Sequence, residues 1–530
     1  LISIVFLCLI SLPFIFAQSF AGADYVFGGL LFNPIDGNTY LAKMVQGWRG
    51  DWIFKLPYTA EPGDGAYLNL FYISLGHLAR ITNIPLLLVF HIARIISAIL
   101  LYIALWRFII EFRVPKEWQI LVLIVSLFGS GMGWILFPFG VLTSDFAVPE
   151  TYPFFSSLVN VHFPLGLALM LFLLLGLHPE RDHTSRHFIA DWWAGLYALL
   201  LAFIDPFGLL ILISVLMGLI CFLAFRSLVQ RKRFLSIISK GKSENNDQIF
   251  LTSLIFRLFW IIIFGMPLII YDLWVTYTDP ILAGWNTQNI TPSPPIWDLI
   301  LSLSPALFVG IVGGNWLVKN KSQVGWLLIS WVFVAILLIY FPVNLQRRLM
   351  KGLFVPVILL MGFGLDNLKF EKKSHLKLFS FGIIISSFIT NLLILSVTFF
   401  GIQTHAEELY LRKSEARALL WIKENTPSKA LILSSPQIGL FIPAHTGRRV
   451  IYGHPFETVN AVQEGSSVVN FFASDDDLER ETFLQERQVD YVFYGPREAK
   501  LGMLPEVTQL QIVFDQEDVK IYQMLHEDSP

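Results

Sequence analysis

Over the first 400 residues, long apolar runs alternate with short polar loops, and after that the pattern stops. Crossing a hydrocarbon core of about 30 Å takes about 20 helical residues. Runs approaching or exceeding that length fall at 1–17, 85–110, 118–138, 163–178, 189–204, 207–225, 250–275, 297–317, 324–341, 352–368 and 378–400. They predict an α-helical polytopic membrane protein with about eleven transmembrane helices. The fourth to sixth runs are short. Asp205-Pro206 is either a tight turn between two spans or a break within a re-entrant pair, and it places Asp205 at a helix end, where a charge is cheaper than at the bilayer centre.

From about residue 401 charged residues become frequent, acidic ones outnumber basic ones, and the apolar runs shorten. This stretch predicts a small α/β domain. Residues 406–425 and most of 457–487 read as helix, and 430–434, 449–452 and 490–494 as strands. Residues 510–514 and 519–524 read as a closing hairpin across Asp515-Gln516-Glu517-Asp518. The division is therefore 1–400 for the membrane domain, with 18–84 as its first outer segment, and 401–530 for the soluble domain.

Composition agrees: 55% of the residues are hydrophobic and 15% charged, against about a quarter charged in soluble domains. The net charge of −2 carries no bulk basicity that would point to nucleic acid. Cys8 and Cys221 both sit in apolar runs, where they read as packing residues rather than a disulfide or metal site. Residues 1–17 fit a signal peptide or an anchor equally, and either delivers the chain beyond Ser19 to the outer face. Every second loop is basic, through Arg113 and Lys116, Arg181 and Arg186, the cluster Arg226 to Lys242, Lys319 and Lys321, and Lys369 to Lys377. Retention of such loops in the cytoplasm places 18–84, 139–162, 276–296, 342–351 and the tail outside. The localisation expected is a multi-pass membrane protein, of a bacterial cell membrane, with its C-terminal domain extracytoplasmic.

The first outer segment carries Asp36 soon after the first span, in Asn33-Pro34-Ile35-Asp36-Gly37-Asn38-Thr39-Tyr40, and continues through Gly50-Asp51-Trp52. An acid beside the membrane, with Tyr40, Trp48 and Trp52 after it at interface depth, suits a site that meets a lipid head group. The plain alternative is that Asp36 caps a helix. Gln346, Arg347 and Arg348, with Lys351 close behind, crowd positive charge into a short outer loop where it is not expected. Their forked donors fit phosphate oxygens, and the alternative is snorkelling to head groups or pairing with an acid of the tail. Asp145, Glu150 and His162 share another outer loop and could orient an acceptor, move a proton or hold a metal, or they supply ordinary loop polarity. Asp272, Tyr277, Trp285 and Gln288 gather near the next outer surface, as cavity lining or interface anchors. Asn289-Ile290-Thr291 matches a glycosylation sequon. In the tail, His445 and Tyr452-Gly453-His454-Pro455-Phe456-Glu457 suggest a hydrolase, but no GxSxG elbow accompanies them. Gly447, Gly453 and Gly495 make no phosphate-cradling loop.

Asp36 after the first span, Tyr40 and Ala42 downstream, the Gly50-Asp51-Trp52 triplet and the Pro/Tyr-rich approach to the second membrane helix resemble the C-type (GT-C) superfamily of membrane glycosyltransferases. That group contains the protein O-mannosyltransferases and the lipid A aminoarabinose transferase. The resemblance covers about the first 110 residues, and the remainder in layout only. It implies inverting transfer of a sugar from a polyprenyl-phosphate donor to a lipid, glycan or protein acceptor at the outer membrane surface. Asp36 would be the general base. Tyr40, Asp51, Glu150, His162, Gln346, Arg347 and Arg348 would contact substrate, with the two arginines on the departing lipid phosphate. The family often has an acidic pair where this chain has Asp36-Gly37; Asp51, Glu61 or Asp64 would supply the second carboxylate. A divalent metal is compatible with the family but not required, and none is expected here. The competing readings are a lipid-carrier flippase or transporter, against which the absence of internal repeats speaks, and a non-catalytic membrane protein with an outer binding domain.

Overall fold

The computed structural model describes residues 1–175, 177, 192–234, 243–503 and 509–525. Arg181, Arg186, Lys240 and Lys242, which contribute to the alternating loop charge, lie outside the described residues.

In chain order the first helices are α1 (Ile2–Phe20), α2 (Pro34–Arg49), α3 (Leu70–Thr82), α4 (Leu86–Glu111) and α5 (Gln119–Phe128). Short helices α6 (Ser144–Ala147) and α7 (Pro153–Val159) lead into α8 (His162–Leu175), α9 (Trp192–Ile204), α10 (Pro206–Phe234) and α11 (Ser243–Thr278). Next come α12 (Pro280–Gln288), α13 (Ile296–Leu303), α14 (Ala306–Lys319), α15 (Gln323–Ile339), α16 (Phe354–Asn367) and α17 (Lys373–Gln403). Each of the eleven apolar runs contains helix. Among the described residues six helices are long and apolar enough to cross a membrane, and a seventh crossing results if α13 and α14 form one broken span.

Two runs depart from the expected continuous helix. The helix begun at Gln119 stops at Phe128 because Gly129, Gly131 and Gly133 come in quick succession. The freed Ser130 N–H then donates to the Ser387 carbonyl at 2.7 Å, and Met132 N–H to that of Leu301 at 3.1 Å. A Cβ at Gly133 would sit 1.8 Å from Thr143 Oγ1, so only glycine fits. The run 297–317 breaks at Ser304-Pro305, where α13 and α14 meet at 83°. Pro305 has no N–H to continue the ladder.

The chain resolves into two compact units. One comprises residues 1–10, 93–271 and 290–396. Within it α14 and α16 touch backbone to backbone, since a Cβ on Gly313 would lie 2.0 Å from Leu360 O and one on Gly364 2.0 Å from Val309 O. Small residues permit such approach between membrane helices. Buried Arg94 donates to the carbonyls of Ile10 and Ser157, at 3.0 and 2.8 Å. Asp205 ends α9, accepts from Gly208 N–H at 3.2 Å and pairs with buried Lys351.

The other unit comprises residues 11–92, 272–289 and 397–530. Strand β1 (Tyr25–Phe27) pairs antiparallel with β2 (Tyr410–Arg412). Helix therefore begins only at Lys413, in α18 (Lys413–Asn425), rather than at 406. Beyond it lies a five-stranded sheet: β3 (Leu431–Leu433), β4 (Arg449–Val450), β5 (Tyr491–Tyr494), β6 (Leu510–Gln516) and β7 (Val519–Met524), in the order β4-β3-β5-β7-β6. β3 runs parallel to β4 and β5, while β7 is antiparallel to β5 and β6, the expected hairpin. Alternation along the strands sends Ile432, Tyr491 and Phe493 to one face, with Leu419, Ile438 and Phe441, and Leu431, Leu433 and Val492 to the other, with Val468, Phe472 and Leu484. Helices α18 and α19 (Pro436–Thr446) cover the first face, and α20 (Ala461–Ala473) and α21 (Asp477–Glu486) the second. The hydrophobic pattern does not announce α19, whose interior holds Pro443; its start is set by Ser435, which accepts from Ile438 N–H, and by Pro436 in the first turn.

Candidate active site

Helix α2 presents the principal candidate. Asn33, in the left-handed region at φ 49°, caps it, and Pro34 occupies its first turn. Asp36 is therefore not the cap. Asn33 Nδ2 donates to Asp36 Oδ2 at 2.6 Å, and Asn33 Oδ1 accepts from Asp36 N–H at 3.5 Å. The carboxylate sits in the first turn, where the positive end of the helix dipole favours its charge.

A second hold comes from the tail. Phe456 and Glu457 both donate their backbone N–H groups to His454 Nδ1, each at 3.0 Å. Nδ1 is thus an acceptor, and the proton of the neutral ring is on Nε2. Nε2 lies 3.3 Å from Asp36 Oδ1, a close polar approach without full hydrogen-bond alignment. The imidazole is 1% exposed and the Asp36 side chain 39%. A buried ring thus backs a carboxylate that remains open to solvent.

About two turns further along α2, buried Lys43 pairs with Glu457 at 2.8 Å. Its ammonium also lies 5.4 Å from the Tyr40 ring centre and 5.3 Å from that of Phe54. Asp36, Tyr40 and Lys43 share a helix face by their spacing, and His454 and Glu457 share one tight turn. Tyr40 stacks on Tyr72 at 4.4 Å. Buried Tyr58 donates to the Leu440 carbonyl at 3.0 Å, and burial, reinforced by Glu457, raises its pKa. From α12, Gln288 donates to the Thr458 carbonyl and Asn289 Nδ2 to that of Phe456 at 3.2 Å, steadying the His454 segment. Buried and so engaged, Asn289 is no exposed sequon.

The second carboxylate is not beside Asp36. A Cβ at Gly37 would sit 2.8 Å from Leu30 Cδ1, so the packing there selects glycine. Asp51 lies past the other end of α2, about 20 Å away along the helix axis. Its triplet is largely structural: Gly50 at φ 108° caps α2, Trp52 stacks on His77 at 4.0 Å, and the Asp51 carbonyl meets His77 Nε2 at 3.1 Å. Glu61 and Asp64 are exposed on the next loop.

The arginine pair belongs to the other unit. A 3₁₀ turn over Gln346–Met350 carries Arg347 and Arg348, both half-buried. Both ends of the Gln346 amide are engaged: its Oε1 accepts from Ser293 N–H at 3.1 Å and its Nε2 donates to the Phe341 carbonyl at 2.8 Å. Arg347 N–H donates to the Thr291 carbonyl at 3.1 Å, and the Arg348 guanidinium lies 5.7 Å from the Phe207 ring centre. Among the described residues neither arginine has a carboxylate within 4 Å, whereas Lys351 has Asp205. Glu150 is held above the usual carboxylate range because its burial outweighs the fields of Arg348, Lys351 and Arg347. His162 opens α8, half-buried, its ring centre 4.4 Å from that of Phe163. Asp145 lies in the first turn of α6. It is fully buried and accepts from Gly133 N–H, Thr143, Ser302 and Thr390, at 3.0, 2.6, 3.2 and 2.8 Å, as a structural node.

His454, Lys43, Glu457 and Asn33 are the site residues that the sequence does not single out as such. Only the Tyr452–Glu457 cluster stands out there, as a hydrolase motif that the geometry does not need.

No family model matches the chain, and no curated protein matches it in sequence. Its fold matches solved membrane glycosyltransferases of the C type. The Archaeoglobus fulgidus oligosaccharyltransferase tethered to an acceptor peptide aligns with a TM-score of 0.52 at 13% identity, over 92% of this chain and 69% of that one. The mycobacterial arabinofuranosyltransferase AftD gives 0.54 at 13% identity, over 99% of this chain and 40% of that one. ArnT from Cupriavidus metallidurans bound to undecaprenyl phosphate gives 0.50 at 10% identity, over 98% and 97%.

Proposed function

We propose that this chain is an inverting glycosyltransferase that moves a sugar from a polyprenyl-phosphate donor to an acceptor at the extracytoplasmic face of the membrane. The observation that carries the reading is Asp36, a solvent-accessible carboxylate held from opposite oxygens by Asn33 and His454. The fold supports the general kind of reaction, and ArnT and an archaeal oligosaccharyltransferase have been solved with undecaprenyl phosphate and with dolichol-phosphate. In this reading the apolar segments make about eleven crossings and the tail faces outward.

Asp36 removes the proton of the acceptor hydroxyl as that oxygen attacks the anomeric carbon. The new C–O bond forms on the face opposite the phosphate, and the old C–O bond breaks with its electron pair leaving on the lipid phosphate. General-base help of this kind contributes roughly 10²- to 10⁴-fold. Arg347 and Arg348, with no carboxylate within 4 Å among the described residues, serve the departing phosphate, whose charge grows in the transition state. His454 orients the base and is a positioning residue. Tyr40 and Glu150 serve the sugar or the acceptor.

The test uses purified protein with polyprenyl-phosphate sugars. Asp36→Asn should remain folded and lose transfer by about 10² or more. Arg347→Ala and Arg348→Ala should weaken lipid-phosphate binding. Wild-type turnover in Asp36→Asn removes the base, and unchanged binding in both arginine variants removes the phosphate role. Movement of intact carrier across vesicles without sugar transfer replaces the enzyme with a transporter.

A further inference from the structure

A cavity of about 1430 Å³ opens in the second unit, away from Asp36. It is walled by the C-terminal half of α2, the start of α4, and the C-terminal ends of α18 and α19. Its charge is one-sided: Arg49, Lys55, Lys423, Lys429, Arg448 and Arg449 line it, against the carboxylates of Asp51 and Glu424.

The arginines are fixed in place by neutral groups. Arg49 donates to the Gly447 and Thr446 carbonyls at 2.6 and 2.7 Å. Arg448 donates to Thr426 Oγ1 and to the carbonyls of Thr446, Lys423 and Thr426. Arg449 donates to the carbonyls of Ala60 and Lys429, and its buried Nε has no hydrogen-bond partner among the described residues. Among the described residues none of the three has a carboxylate within 4 Å. Burial and the neighbouring charge of Arg49 press the pKa of Arg448 down to about 10, so the fold holds like charges together at a cost that an anion would relieve. Lys423 and Lys429 are exposed at the rim, and Lys423 Nζ lies 5.6 Å from the Trp48 ring centre.

Much of the rest of the wall is apolar, with Gln46, Asn83 and Ser428 among its polar members. Leu41, Val45, Trp48 and Leu56 face the cavity, and Pro85, Leu86 and Leu87 bring it to the first turn of the 26-residue apolar helix α4. Cationic groups over an apolar wall at the start of a membrane span match one class of ligand, an anionic amphiphile. The volume is many times that of an inorganic phosphate, and an acidic peptide would leave the apolar approach to α4 unused.

We infer that this groove binds the phosphate-bearing head group of an anionic membrane lipid, with Arg49, Arg448 and Arg449 as its fixed cations, Lys423 and Lys429 as its rim, and the acyl chains directed along the first turn of α4. It is distinct from the Asp36 site, because α2 carries Asp36 at one end and Arg49 at the other.

Native mass spectrometry on the detergent-purified full chain, titrated with phosphatidylglycerol or phosphatidylcholine, tests it. The wild type should retain phosphatidylglycerol selectively, and retention should weaken as salt rises from about 50 to about 500 mM. Lys423→Glu/Lys429→Glu reverses the charge of two exposed side chains at the rim, and should weaken retention at least about tenfold. Lys423→Arg/Lys429→Arg should retain the lipid as the wild type does. Equal retention of the two lipids, salt-independent retention, or an unaffected Glu variant overturns the site. Displacement of phosphatidylglycerol by millimolar inorganic phosphate alone overturns the lipid assignment.

Discussion

Gly37 is set beside Asp36 by packing, since Leu30 fills the space that any side chain there would enter. Replacing glycine by alanine inside a helix ordinarily gains about 0.5–1 kcal/mol, but overpacking costs about 1–3 kcal/mol. Gly37→Ala should therefore lower the melting temperature of the detergent-solubilised protein, and should lower it less when it is added to a chain in which Leu30→Ala has already emptied the space. A rise in the single variant would show that Leu30 yields freely. The Lys43–Glu457 pair is sensitive through charge instead of volume. Removing one member of a buried pair costs about 3–5 kcal/mol, while replacing both by apolar residues is often close to neutral. Glu457→Leu should destabilise strongly, and Lys43→Met/Glu457→Leu should melt near the wild type. If the two melt alike, the charges are not coupled. Asp36 and the arginine pair stand out in the sequence because an acid or a cation in a membrane-facing segment is costly without a use. His454 does not, because its significance depends on a carboxylate more than 400 positions away.

At the level of elements, glycine decides where helices touch. A Cβ on Gly47 of α2 would lie 2.0 Å from Ile73 O, and one on Gly76 of α3 would lie 2.0 Å from Met44 O, so the two backbones are in direct contact. Gly47→Ala must push α3 away, and should reduce both folded yield and transfer activity; a folded, fully active variant would show that the contact is dispensable. Near the C-terminal end of α19, burial, and after it the charge of Lys423, lowers the pKa of His445 from 6.5 to about 4. The folded chain refuses a proton that the unfolded chain accepts. Stability therefore falls as pH drops from about 6.5 towards 4, and the loss is complete below that window. In His445→Gln the melting temperature should fall less over this range than in the wild type; identical slopes would remove His445 as the cause. The helices α5 and α13 show where periodicity misleads: an apolar run does not reveal that a glycine cluster or Ser304-Pro305 will end the ladder. Helix α19 shows the converse, a helix formed in spite of Pro443 because both strand neighbours supply an apolar face to cover.

At the scale of the molecule, residues 401–530 share a core with distant chain. Ala42 and Tyr58 pack in the cluster that includes Ile432 and Phe493, Arg49 closes the carbonyl end of α19, and Lys43 neutralises Glu457. Expressed without residues 11–92, this segment should aggregate or melt without a cooperative transition, and a sharp melt in isolation would show it to be autonomous. The sequence by itself determined the membrane class, the helical character of each apolar run, most strands of the tail and the resemblance to C-type glycosyltransferases. It could do so because hydrophobic length, period-two alternation and a charged residue in an apolar setting are local properties, read within about twenty residues. What only the tertiary structure decided is the company those residues keep: His454 behind Asp36, Lys43 against Glu457, the engagement of Gln346 and Asp145 by their surroundings, and a cationic groove assembled from separate stretches of chain. Contacts between distant segments depend on how whole faces pack, and no short window of sequence contains that information.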